Sequence, residues 1–127
     1  MKKEELIKIT SLLIHAAKID DNYTKKEEKI IGDFLKSIDK NLNSQDIMKK
    51  ALEDEENSNQ ILKYTQEVKK NTLEFRTKIV EVLWRIILSD NNSDMYEGSL
   101  MRRICGLFYI PDKLSGEIKL KIMGKNN

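Results

Sequence analysis

The chain has 127 residues, 39% of them hydrophobic and 35% charged, with a net charge of +2. That length suits one domain, residues 1–127, with a sizeable core. Lysines and acids are interspersed, so no strong field marks the chain for nucleic acid or an anionic membrane. Aromatic residues are few and Pro111 is the single proline, which leans the composition toward helix. The first predicted helix covers residues 3–19, with Leu6, Ile9, Leu12, Leu13, Ala16 and Ala17 at helical spacing. After the polar break DDNY, Thr24 precedes Glu27 by three residues, the spacing of a capping box. The second helix then directs Ile30, Ile31, Phe34, Leu35 and Ile38 inward, and residues 39–43 form a loop.

Ser44 is the expected N-cap of a third helix that buries Ile47, Met48, Ala51 and Leu52. Its C-terminal acidic run EDEE, residues 53–56, opposes the macrodipole, so this end is expected to fray or bend. Ser58 or Asn59 would cap a fourth helix carrying Ile61, Leu62, Thr65 and Val68. Thr72 would cap a fifth, whose apolar residues include Phe75, Ile79, Val82, Leu83, Ile86 and Ile87, flanked by Val80, Trp84 and Leu88. A helix apolar on so many sides belongs in the centre. The polar stretch 89–94 leads to a sixth helix carrying Leu100, Met101, Ile104, Cys105 and Phe108. Pro111 breaks the chain before a last helix over residues 112–122, weakened by Gly116. The expected fold is therefore all-α, a single-domain bundle of about seven helices.

The two polar breaks are related. Asp20, Asn22, Thr24 and Glu27 in the first align with Asp90, Asn92, Asp94 and Glu97 in the second, at an offset of 70 residues. Ile9, Leu12 and Leu13 fall on Ile79, Val82 and Leu83, and Ile30, Ile31 and Phe34 on Leu100, Met101 and Ile104. The bundle thus contains two pseudo-symmetric helix–loop–helix units. Capping accounts for the loop residues without a ligand: Thr24 and Asp94 as N-caps, Glu27 and Glu97 reaching back to the cap amides. The other reading is an ion site. Asp90, Asn92 and Asp94 imitate the start of a calcium loop, but Met95 and Met101 stand where an EF-hand needs glycine and glutamate, and Lys25 and Ile31 fail likewise in the first copy. If the loops approach each other, Asp20, Glu27, Asp90 and Glu97 would form a carboxylate cluster suited to calcium, magnesium or manganese.

Residues 73–114, with Leu83 and Trp84, Asp90, Tyr96 and Glu97, Arg102, Arg103 and Ile104, then Pro111, resemble the C-terminal half of the TerB-like family of tellurite-resistance proteins. The small stand-alone bacterial members are the most similar. The first copy, LLIHAAKIDDNYTKKEE, resembles the family's N-terminal Asp-Gly loop, with Asp21 and Asn91 in place of the loop glycines and His15 where an acid is frequent. The resemblance implies an all-helical fold and a role in metal or membrane-proximal stress responses. It also implies metal binding at the acidic loops, and kinship with a region of a membrane-anchored J-domain co-chaperone.

Enzyme signatures are absent: no Walker loop, no GxGxxG, no GxSxG, no Cys/His ligand spacing. The one histidine, His15, reads as a partly buried structural residue, and the one cysteine, Cys105, as a core thiol that excludes an intrachain disulfide. Arg102 and Arg103 read as partners for loop acids. The N-terminus has no signal-peptide pattern, and residues 79–88, the most apolar run, are too few to span a bilayer, so a cytoplasmic protein is expected. Two functions follow. One is a non-enzymatic stress-response module that binds a divalent cation through paired acidic loops. The alternative is an interaction module, docking a protein partner or a membrane-proximal assembly without an ion; peripheral membrane association stays open, as does the oligomeric state.

Overall fold

The computed structural model describes residues 2–18, 23–57, 61–89 and 95–125, with side chains over 99–124 in the last stretch. Seven helices run through them: α1 (Lys3–Ala17), α2 (Lys25–Ile38), α3 (Ser44–Glu56), α4 (Ile61–Lys69), α5 (Leu73–Leu88), α6 (Met95–Leu107) and α7 (Asp112–Lys125). No strand occurs among the described residues. The starts of α1 and α5, and of α2 and α6, keep the offset of 70 residues found in the sequence.

One hydrophobic cluster draws side chains from all seven helices. Two helices sit at its centre. α5 packs against α1, α2, α4 and α7, and buries Val80, Trp84 and Leu88 as well as its expected inward face. α1 packs against α2, α3, α4 and α5, and from Ile9 to Ile14 it has no exposed side. The sequence pattern marks only α5 as central. α1 escapes that reading because two of its buried residues, Thr10 and Ser11, are polar.

Ser11 shows how a polar residue is accommodated there. Its hydroxyl lies 2.8 Å from the Ile7 carbonyl, 3.2 Å from the Ala51 carbonyl and 3.3 Å from Asp54 Oδ2. Its single proton thus always has an acceptor, which removes the desolvation penalty of a buried hydroxyl. The same side of α1 corrects the expectation for the acidic run. α3 stays helical through Glu56, because Lys18 Nζ lies 3.0 Å from Glu55 and 3.8 Å from Glu56, and His15 Nδ1 lies 3.4 Å from Glu55. The Lys18 ammonium, at the end of a neighbouring helix, offsets the unfavourable charge at the C-terminus of α3.

Further details refine or correct the sequence reading. The N-cap of α3 is Asn43, whose side chain accepts from the Asp46 amide at 3.1 Å, and Ser44 is already helical. On α4 the buried aromatic is Tyr64, whose hydroxyl donates to the Asp54 carbonyl, while Leu62 faces solvent. α7 continues past residue 122 to Lys125 despite its glycines. Ser58 and Asn59, the expected caps of α4, lie outside the described residues.

Trp84 ties α5 to α7. It is 6% exposed, its indole N–H donates to Ser115 Oγ at 3.0 Å, and Lys119 Nζ stands 5.0 Å from the ring centroid. Cys105 is buried in the core, and burial pushes its thiol up, as befits an inert packing residue.

Candidate functional site

The first acidic loop runs from the end of α1 into α2. Thr24 is the N-cap of α2, and the capping box forms in full: Thr24 Oγ1 accepts from the Glu27 amide at 3.2 Å, and Glu27 Oε1 accepts from the Thr24 amide at 2.8 Å. Both expectations for this pair hold. Less usual is the burial of Glu27, which is 4% exposed. Glutamates at the third helical position are normally solvated, since a capping box needs no burial.

The buried carboxylate acts on its surroundings. Tyr23, just before the cap, has its phenol pushed up to about 12, first by burial and then by the charges of Glu28 and Glu27. Its hydroxyl is buried without a hydrogen-bond partner. A phenol in such a place stays neutral, because an anion there would face two carboxylates. Tyr23, Glu28, Gln45, Met48, Lys49 and Leu52 line a shallow hollow between α2 and α3.

Of the four carboxylates singled out in the sequence, Glu27 alone has a described side chain. Asp20 and Asp90 lie outside the described residues, and so does the side chain of Glu97. Asp94, the expected cap of α6, lies outside them too. Among the described residues no three His, Cys, Asp or Glu side chains come together in a way that could hold a metal ion. Arg102 and Arg103 are exposed on α6, and the acids expected to pair with them belong to the same undescribed loop. His15 is held by Glu55, a carboxylate from the acidic run rather than from a loop.

A second place was not marked by the sequence. α6 ends in a Schellman arrangement: the Ile110 amide donates to the Cys105 carbonyl at 2.9 Å and the Tyr109 amide to the Gly106 carbonyl at 3.3 Å. The residue that must turn left-handed there is Tyr109, at φ 58°, and it is 66% exposed. Arg76 Nη1 donates to the Phe108 carbonyl at 2.6 Å and so pins the turn to α5. Lys69 Nζ stands 4.5 Å from the Tyr109 ring centroid and draws the phenol below its usual value. The sequence signal was faint: GLFYIP offers no glycine at the position before Ile110, where helices commonly place one.

No helix among the described residues is long and apolar enough to cross a membrane. No curated protein and no solved structure matches the chain. The family model for tellurite resistance protein TerB does match, over residues 6–120. That span holds all of α2 to α6, both acidic loops and most of α1 and α7. With the helical architecture and the repeated loops, this establishes that the chain belongs to the TerB family of tellurite resistance proteins.

Proposed function

We propose that the chain is a non-enzymatic, helical stress-response module that takes up a divalent cation at its two acidic loops. Asp20 and Glu27 would supply oxygen ligands from the first loop, and Asp90 and Glu97 from the second. The observation that supports this is the burial of Glu27. Removing a carboxylate from water carries a solvation cost of several kcal/mol, roughly. The Thr24 amide and the α2 N-terminus are among the groups that offset it. A carboxylate fixed at the start of α2, where the first acidic loop enters the helix, stands where it could serve a loop-bound cation as an oxygen ligand. Oxygen donors of this kind suit calcium, magnesium or manganese. Asp20, Asp90 and Glu97 enter on residue type and on their place in the repeat. The test is the melting temperature in chelator and in each cation. The midpoint should rise with at least one cation, and Glu27→Gln, which keeps the capping geometry, should shrink the rise. Equal midpoints in chelator and in all three cations would refute the proposal.

A second reading has its own observation. Leu62, Leu73, Tyr109, Leu120 and Met123 are large apolar side chains left in solvent. They favour an interaction module, of the co-chaperone or membrane-proximal adaptor kind, that docks a partner without an ion.

A further inference from the structure

α7 has two faces. Ser115, Ile118 and Ile122 recur at helical spacing on the inner one, where Ser115 and Ile122 are buried and Ile118 packs against the core. The same spacing puts Lys113, Gly116, Glu117, Leu120 and Gly124 on the opposite side, with Met123 on its flank. Leu120 is 69% exposed and Met123 45%.

The outer face is unpartnered within the chain. Glu117 and Lys121 are exposed and one turn apart, yet neither has an ion pair among the described residues. Lys119 points elsewhere, to the Trp84 ring. A Cβ on Gly116 or Gly124 would meet open space, so the described residues leave room above both positions. The face thus joins an apolar centre to one free acid and one free base.

That charge pattern decides between occupants. A uniformly acidic segment would suit Lys121 and repel Glu117, and a uniformly basic one the reverse. A second α7 laid antiparallel suits both. In such a pair crossing at Leu120, a residue n positions before Leu120 is level with one n positions after it in the second copy. Leu120 then meets its own counterpart. Glu117 and Lys121 share one flank, three positions before and one after Leu120, so each Glu117 stands about 3 Å along the axis from Lys121 of the second copy. Met123 and Gly116 share the other flank, three after and four before, so each Met123 reaches the open space above Gly116 of the second copy. Asp112 and Lys113 lie about two turns from Leu120, beyond the contact. One patch matching itself in this way is the signature of a two-fold interface.

We propose that the outer face of α7 is a self-association surface, on which α7 of a second copy lies antiparallel across Leu120. The contact needs neither a cation nor a foreign partner. One helix face against its twin covers less than the roughly 800 Å² per partner of a standard interface, so the dimer is weak and forms at raised concentration.

The experiment is sedimentation equilibrium from low micromolar to near-millimolar protein, in chelator. The average mass should rise from the 14.9 kDa of one chain toward twice that value. Leu120→Ser should hold the protein monomeric. Glu117→Lys and Lys121→Glu should each weaken association roughly tenfold, since both flanking pairs become repulsive. An equal mixture of these two variants should associate again, because each then meets the opposite charge. All three positions are exposed, so melting temperatures should stay near wild type, and the mixture decides the matter even for a variant that is destabilised. A wild type that stays monomeric throughout, association that survives Leu120→Ser, or a mixture no better than its components would each overturn the inference.

Discussion

Trp84 joins α5 to α7, since its ring is buried and its N–H is satisfied by Ser115. Trp84→Ala should cost about 3–5 kcal/mol in urea denaturation, the usual range for an aromatic removed from a core. A midpoint near wild type would mean that α7 repacks over the gap. Tyr23 makes a prediction at alkaline pH. Its folded value is raised from 10.0 to about 12, so the neutral phenol is favoured by the fold. Stability from this source is fully present below the unfolded value, near pH 10, and is lost as pH rises toward 12. The group is only half-buried, so solvent screening reduces the effect. Denaturation at pH 8 and pH 11 should show wild type losing more stability than Tyr23→Phe. Equal losses would contradict the assigned burial. Trp84 was readable in advance, because it sits in the most apolar run of the chain. Tyr23 and Tyr109 were not, since neither a buried hydroxyl nor a positive φ leaves a mark in hydrophobic spacing.

Helix ends show where local pattern succeeds and where it does not. Thr24–Glu27 and Thr72 cap as their spacing requires, because each is the one hydroxyl residue at its helix start. Asn43 and Ser44 are adjacent and both are good caps, so propensity cannot choose between them. The choice comes from tertiary packing: Ile47 must point into the core, and its amide already bonds the Asn43 carbonyl. Asn43→Ala should therefore cost about 1 kcal/mol and Ser44→Ala little. Comparable losses at both positions would contradict the assigned cap. The acidic end of α3 teaches the same lesson. Local electrostatics argues for fraying, and Lys18, more than thirty residues away in sequence, reverses it. Lys18→Glu should loosen the last turn of α3, seen as faster amide exchange over residues 53–57.

Across the whole molecule, the seven-helix architecture and most of the core were legible in the sequence, because helical periodicity is strong in every segment but the last. Leu120 and Met123 leave α7 apolar on its outer side as well as its inner one, which blurs the pattern there. The candidate ion site was legible only as a repeat of residue types. Periodicity can place Asp20 and Asp90 at equivalent positions, but whether two loops meet depends on how the helical pairs pack, which spacing does not encode. The most direct test is therefore calorimetric titration of calcium, magnesium and manganese into wild type, Asp20→Asn, Glu97→Gln and the double variant. A shared site predicts saturable heat in wild type, weaker binding in each single variant, and a double variant that departs from additivity, since both residues act on one ligand set. No heat beyond dilution from a folded wild-type protein, or two loops whose substitutions add independently, would contradict it.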